Sequence, residues 1–277
     1  MSLEQSERSH DIARYTLPGA RSSGSVEISI IVPTLNEAEH ISRLLASLQS
    51  QSTVNPEVII IDGGSRDGTA KIAQSLGAKV IVLEGAKEFE ARNYGVAESK
   101  GPLLIFTCAD VVFPRNSLES VLRQFRENLS LAALTGPDFP YDGGLVLLFI
   151  YGLYNTLRFL SSRLPYPYKA FSSSTNFLVM RRGIFSETGG FKSDDVNADG
   201  LMGGYLVSRY ATIFDNRVPV YISARRARTW GIARFASHYL YVLENFLPDI
   251  SRQKWFGRLK SRSANKHGEI HGRRDED

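Results

Sequence analysis

Apolar positions along the chain fall into two alternating patterns. Short, nearly continuous apolar runs occur at Val26-Glu-Ile-Ser-Ile-Ile-Val32, Val58-Ile-Ile-Ile61, Lys79 to Leu83 and Leu103 to Thr107. Between and after them, apolar residues recur at helical spacing: Ile41, Leu44, Leu45 and Leu48, then Leu118, Val121, Leu122 and Phe125. The continuous runs predict strands buried on both faces, and the helical spacing predicts helices with one apolar face. Pro33 is expected to end the first strand, and Asn36 with Glu39 to open the first helix as cap and third-position acid. Further helices are predicted over Thr69 to Leu76, closed by Gly77, and over Phe89 to Glu98. Such alternation predicts an α/β fold, a mostly parallel sheet with helices on both faces.

In sheets of this type ligands bind beyond the carboxyl ends of the strands. The first strand is followed by Pro33-Thr-Leu-Asn-Glu37, the second by Asp62-Gly-Gly-Ser-Arg-Asp-Gly-Thr69, and the fourth by Cys108-Ala-Asp110. A carboxylate at a strand end can accept from base or ribose groups, or hold a divalent cation that neutralises a diphosphate. Gly63, Gly64 and Gly68 allow close backbone approach. Each element also has a plainer reading: a simple turn for Asp62 to Ser65, a helix cap for Asn36 and Glu37, another cap for Asp110. Neither a Gly-x-Gly-x-x-Gly element nor a Walker loop is present, which argues against dinucleotide and P-loop binding.

Together, Ile30-Ile-Val-Pro-Thr-Leu-Asn-Glu37, Ile61-Asp-Gly-Gly-Ser-Arg-Asp-Gly-Thr69, Ala91-Arg-Asn-Tyr-Gly95 and Phe106-Thr-Cys-Ala-Asp110 resemble the successive motifs of family 2 glycosyltransferases. The likeness runs over roughly residues 27–234 and extends to dolichyl-phosphate mannose synthases and their bacterial and archaeal relatives. It implies a GT-A fold, an inverting transfer and a nucleotide-sugar donor. Pro33, Thr34 and Glu37 would line the base and ribose pocket, and Asp62 would contact the base or ribose with Gly63 near it. Arg92 would sit near the diphosphate or sugar. Ala109 and Asp110 would belong to the donor-binding DXD element, with Asp110 ligating Mg2+ or Mn2+. Cys108 stands where that element has its first acid, and a thiol is a poor partner for a hard cation.

Thr175 to Phe191 resembles the family segment that enters the acceptor side, with a strand over Phe177 to Met180, a short helix and a Gly189-Gly190 turn. The family's Glu-Asp pair is replaced by Ala198-Asp199, so Asp199 is the expected base; the alternative is that it caps a helix from Gly200 to Tyr210. A strand over Val218 to Ile222 leads into Ser223-Ala-Arg-Arg-Ala-Arg-Thr-Trp-Gly231, which resembles a Ser-x-Arg-Arg…Trp-Gly stretch in a subset of the family. It implies that Arg225 and Arg226 grip a diphosphate or phosphorylated acceptor and that Trp230 stacks on a sugar. A basic loop with Trp230 in the core is the competing reading.

Composition fits one substantial domain: 277 residues, 43% hydrophobic and 22% charged. The expected organisation is a flexible leader over 1–25, a GT-A domain over 26–234, an amphipathic helical segment over 235–260 and a charged tail over 261–277. The net charge of +4 is concentrated late. Residues 252–274 hold eight Lys or Arg and one acid, Glu269. This fits a solvated tail or attraction to an anionic membrane surface or phosphorylated acceptor; with no motif around it, nucleic acid is not an expected partner. The lone cysteine excludes an internal disulfide, and no apolar signal segment or membrane span is evident. The expected location is cytoplasmic. Leu145-Val-Leu-Leu-Phe-Ile-Tyr-Gly-Leu-Tyr154 is too short to span a bilayer; with an aromatic helix from Phe235 to Phe246 it suits either peripheral membrane contact beside a lipid-linked acceptor, or helix packing and a homo-oligomer.

Two other functions compete. A sugar nucleotidyltransferase shares the sheet type but is expected to carry a Gly-rich, Arg- or Lys-bearing loop after the first strand, which Pro33 to Glu37 lacks. A non-catalytic nucleotide or carbohydrate binder is compatible with Cys108 and Ala198.

Overall fold

A computed structural model describes residues 26–51, 54–192, 198–235 and 237, together with the backbone of one strand over Ile12–Tyr15. Asn197, the predicted helix beyond Ser237 and the tail lie outside the described residues. Eleven strands are found among the described residues: β1 (Ile12–Tyr15), β2 (Ile28–Thr34), β3 (Glu57–Asp62), β4 (Lys79–Leu83), β5 (Leu103–Thr107), β6 (Val111–Val112), β7 (Leu131–Thr135), β8 (Asp138–Pro140), β9 (Phe177–Arg181), β10 (Ala211–Phe214) and β11 (Val220–Ile222). The helices are α1 (Ala38–Gln49), α2 (Thr69–Ser75), α3 (Glu88–Ala97), α4 (Ser117–Glu127), α5 (Leu145–Ser161), α6 (Arg182–Thr188), α7 (Ala198–Arg209) and α8 (Arg225–Trp230). The strand β1 falls inside the expected flexible leader and pairs antiparallel with β4.

The main sheet has eight strands in the order β1-β4-β3-β2-β5-β9-β7-β10. From β4 to β5 the pairings are parallel; β9 is inserted antiparallel between β5 and β7, and β10 runs parallel to β7. This is the mostly parallel sheet that the apolar runs predict. Every residue of β5 is buried, because helices cover both faces. On one face Ile41, Leu44, Leu45 and Leu48 of α1 and Leu118, Val121 and Phe125 of α4 share one apolar core with β2 and β5. On the other, α3 lies close to β2: a Cβ on Gly95 would come within 2.5 Å of Ile31 Cγ2. The glycine of the Ala91-Arg-Asn-Tyr-Gly95 motif is therefore a packing residue, set by helix-to-sheet distance.

Two local expectations need correction. Pro33 does not end the first strand; β2 runs on to Thr34. Its ladder to β5 stops at Ile31, so the missing Pro33 N–H is tolerated on a side with no partner strand. Asn36 does not cap α1, which begins at Ala38 after Glu37. Asn36 instead takes a left-handed backbone (φ 54), which Asn tolerates better than most residues. The orphan N–H groups at the start of α1 are satisfied from the neighbouring loop: Ala38 donates to Asp67 Oδ2 (2.9 Å) and Glu37 to Thr69 Oγ1 (2.8 Å).

The small sheet β6-β11-β8 sits over the carboxyl ends of the main strands and ties the chain's later part to its first half. Ser223 N–H donates to the Asp110 carbonyl at 3.1 Å. The apolar segment after Gly144 is one helix, α5, that continues past Asn155 and Arg158. No described helix is long and apolar enough to cross a membrane.

Candidate functional site

The chain builds β2, β3 and β4 in one direction across the sheet, then returns to place β5 on the other side of β2. The loops after β2 and β5 therefore meet at a switch point of the strand order, and it is outside such points that α/β sheets form their ligand crevices. Glu37 lies in the loop after β2 and Asp110 in the loop after β5. Both are buried. A single side chain from α8 joins them. Arg225 donates from Nη1 to Glu37 Oε2 at 2.6 Å and from Nη2 to Glu37 Oε1 at 2.7 Å, and its Nε lies 3.0 Å from Asp110 Oδ2. This is a two-pronged guanidinium–carboxylate pair with a second carboxylate on its third nitrogen.

The electrostatics follow from burial. Desolvation pushes Glu37 up to about 7 from 4.5; Arg225 opposes this, while Asp110 and Asp67 add to it. Arg225 is held above the ordinary guanidinium range: its hydrogen bonds to Glu37 and the charges of Asp110 and Glu37 outweigh its burial. The first turn of α1 holds His40, whose pKa is lowered mainly by burial and secondarily by Arg225.

The turn after β3 is braced from inside. Asp62 is buried and accepts from Thr34 Oγ1 (2.9 Å), Gly64 N–H (3.1 Å), Ser65 N–H (2.7 Å) and Ser65 Oγ (2.7 Å). Its oxygens are thus engaged by its own loop and by β2. Gly63 N–H donates to the Thr34 carbonyl at 2.8 Å, and Asn36 N–H donates to Ser65 Oγ at 2.8 Å. These bonds lock the two loops together, leaving Pro33, Thr34, Gly63 and Glu37 along one wall.

The structure gives several predicted site residues other surroundings. Ala109 turns its methyl into the core, so contact with a ligand falls to its backbone. Arg92 is fully buried below the end of β5. Its Nη2 meets Glu88 Oε1 at 2.7 Å and its Nη1 faces the carbonyls of Thr107 (3.4 Å) and Thr175 (3.5 Å). Its Nε is buried without a hydrogen-bond partner. Arg92 thus braces the end of β5 from inside the core.

Burial pushes the Cys108 thiol up to about 12, despite Arg92 beside it, so it stays protonated at neutral pH. Arg92 Nη2 and Asn176 Oδ1 each lie 3.7 Å from Cys108 Sγ. A protonated thiol is a poor partner for a hard cation. Among the described residues no group of three His, Cys, Asp or Glu is gathered for a metal ion. The side chains here therefore form no complete cation cage; Asp110 fits as a single oxygen ligand, and the rest of a cation's shell must come from elsewhere.

On the acceptor side, Asp199 lies in the first turn of α7 and its Oδ1 accepts from Gly200 N–H at 2.8 Å. It is inside the helix, where a negative charge also suits the dipole. The position of α7 is set by close contact: a Cβ on Gly203 would come within 2.5 Å of Ser173 Cβ. Trp230 is half-buried, with the guanidinium carbons of Arg226 and Arg234 each 5.5 Å from its ring centroid.

Three features escape the sequence reading. Asp142 holds the start of α8, accepting from Ser223 Oγ at 2.8 Å and pairing with Arg228 at 2.9 Å. Asp138 and Arg158 form a fully buried ion pair at 2.6 Å, joined by Asn155 and Asn176. Asp67 supplies the cap of α1. Asp67 lies within the Ile61 to Thr69 motif, which does not show its role as a cap; the other two stand in no recognisable motif, and only Asn155 and Arg158 in an apolar run hint at the buried pair. A separate open hollow of about 500 Å³ lies at the far end of β5 and β9, lined by Pro102, Arg181 and Arg182. Both arginines there are engaged by backbone carbonyls, so we place no chemistry in it.

Comparisons with known proteins agree with this fold. The family model described as "Glycosyl transferase family 2" matches residues 29–189, more than half of the chain. Among curated relatives, the O-antigen chain rhamnosyltransferase WbaN of Salmonella anatum is 27% identical over 62% of this chain and 58% of its own length. Glycosyltransferase AglE of Haloferax volcanii is 35% identical over 30% of each chain. The chain thus spans less than two thirds of the lengths of these relatives. Among solved structures, the mannosyltransferase PcManGT from Pyrobaculum calidifontis, in complex with GDP-Man and Mn2+, has a TM-score of 0.58 at 19% identity, over 86% of this chain and 67% of that one. TarS of S. aureus in complex with UDP-GlcNAc has a TM-score of 0.57 at 18% identity, over 80% of this chain and 71% of that one. The sheet, its switch-point crevice and these likenesses define a GT-A fold, and the chain belongs to glycosyl transferase family 2.

Proposed function

We propose that the chain is an inverting glycosyltransferase that moves a sugar from a UDP- or GDP-sugar to a hydroxyl or lipid-phosphate acceptor. The Arg225 bridge between Glu37 and Asp110 carries this reading, because it holds a fixed positive charge between two loops at the ligand crevice. Donors of this class in complexes of structurally similar transferases support it.

In this reading the base and ribose rest against Pro33, Thr34, Gly63 and Glu37, with Asp62 keeping the wall in shape. The diphosphate takes Arg225 from the two carboxylates, and Arg226 adds a second positive charge. A divalent cation, Mg2+ or Mn2+, would be held by Asp110 and would neutralise diphosphate charge. The acceptor oxygen bonds to the anomeric carbon as the bond from that carbon to the diphosphate oxygen breaks. The nucleoside diphosphate leaves with the electron pair, stabilised by the two guanidinium groups. For a hydroxyl acceptor the proton passes to Asp199; an ionised phosphate acceptor needs no base, and Asp199 then orients it.

The test is Asp199→Asn, assayed for donor binding, donor hydrolysis and transfer to a hydroxyl acceptor. Donor binding is expected to persist while transfer falls by at least about a hundredfold. Normal transfer by this variant would remove Asp199 from the mechanism. If the unmodified protein hydrolyses none of its bound donors, the reading as a non-catalytic binder replaces ours.

A further inference from the structure

The helix α5 turns most of its large apolar side chains outward. Its buried side carries Leu147 and Tyr151 and then polar Asn155 and Arg158, and its outer side carries Leu145, Val146, Leu148, Phe149, Leu153 and Leu160. Leu145 is 85% exposed, Phe149 73% and Leu160 54%. Beyond the helix, Leu164 and Tyr166 extend the same exposure. Scattered exposed leucines are ordinary, but an apolar face that runs along a helix with only Thr156 interrupting it marks an interaction surface.

Charge around this face identifies the partner. From residue 143 to residue 186 the chain contains no Asp or Glu; Arg158 is buried in its pair with Asp138, and Arg163 and Lys169 follow the face in sequence. Arg163 is exposed at the end of α5, its guanidinium carbon 4.5 Å from the Phe159 ring centroid. The inner side of α5 packs on α8 through Leu147, Tyr151, Ala224 and Ala227. Just beyond α8 lie half-buried Trp230, exposed Ile232 and exposed Arg234. Apolar side chains bordered by Trp, Tyr and Arg match the headgroup boundary of a bilayer, and the missing carboxylates favour anionic lipid. The basic stretch at 252–274 follows in sequence from Phe235, whose ring centroid lies 5.6 Å from that of Tyr151 on α5.

We propose that the outer face of α5, with Ile232, docks flat into the interface of an anionic lipid bilayer. Because α8 packs directly on α5 and supplies Arg225, the docked protein brings the crevice to the lipid surface. Resting on the transferase reading, this makes the acceptor lipid-borne.

The test is co-sedimentation of the full chain with phosphatidylglycerol–phosphatidylcholine vesicles and with pure phosphatidylcholine vesicles. Phe149→Glu with Leu153→Glu is the paired variant; both residues are exposed, so an unchanged melting temperature is expected. The unmodified protein should pellet with the anionic vesicles, less so at about 0.5 M salt, and the double variant should bind at least about tenfold more weakly. Donor hydrolysis, measured in parallel, should be equal in the two proteins and reports on the transferase reading separately. Absence of pelleting with anionic vesicles at low salt overturns the proposal, as does pelleting that the double variant leaves intact. A dimer that the double variant dissociates, without vesicle binding, assigns the face to a second copy and also overturns it.

Discussion

Arg225 grips Glu37 with both terminal nitrogens across a sequence separation of 188 residues. The pair joins the loop after the first strand of the parallel block to a helix near the end of the described chain. Asp110 sits on the same guanidinium. One guanidinium thus spans the two loops of the candidate donor site, and it is the group that the diphosphate is proposed to take.

Replacing Arg225 with Gln should damage both stability and activity. Two buried carboxylates would lose their shared counter-charge, at a cost on the order of 2 kcal/mol or more. Transfer should fall by at least about a hundredfold, since the leaving diphosphate loses a preorganised donor. Arg225→Lys keeps the charge but not the fork, and is expected to recover only part of the loss. Thermal melting and kcat/KM measure the two effects; a variant unchanged in both would contradict the assigned role.

Glu37 makes stability depend on pH in a defined window. Its folded pKa, about 7, lies above its ordinary value of 4.5, so the folded state binds the proton more tightly. Its contribution is fully present below about 4.5 and is lost as pH rises through about 7. His40, with a lowered pKa, acts with the opposite sign in an overlapping range. Asp142 and Asp215 are held low: their burial is outweighed by hydrogen bonds, led by Ala224 N–H on Asp142 and the Arg217 side chain on Asp215. Those two act at lower pH. The difference in unfolding free energy between the unmodified protein and Glu37→Gln isolates the Glu37 effect. That difference should decline from about pH 5 to about pH 7.5. A flat difference would show that Glu37 ionises as an ordinary carboxylate.

Cys108 should prove dispensable for donor binding. Its thiol stays protonated and faces Arg92 and Asn176. Cys108→Ala is expected to keep nucleotide affinity, with and without Mn2+, within about threefold, and to lose about 1 kcal/mol of stability from the packing it vacates. A metal-dependent affinity loss above about tenfold would make the thiol a cation ligand after all.

Much of the fold was legible because parallel strands buried on both faces leave continuous apolar runs, as at Val58 to Ile61 and Leu103 to Thr107. The family match over residues 29–189 agrees with the motif reading. The remainder has physical reasons for its silence. Strands as short as Val111–Val112 and Asp138–Pro140 are too brief to show a period. The first-helix cap was misassigned because Asp67 and Thr69 supply it from another loop, which local spacing cannot reveal. In α5, Asn155 and Arg158 follow directly on an apolar run, yet they occupy the buried side and pair with Asp138. The Arg225–Glu37 pairing leaves no local mark, since charge partners so far apart meet only through topology.

The central claim is that the crevice between Glu37 and Asp110 takes a nucleoside diphosphate. It is tested most directly by thermal melting of the full chain with UDP and with GDP, each with and without Mn2+ or Mg2+. At about a hundredfold excess over Kd, one of the two should add about 2.7 kcal/mol and raise Tm by several degrees. The cation should enlarge that rise, and Asp110→Asn should remove the enlargement. If neither diphosphate moves Tm, with or without the cation, the crevice is not a donor site.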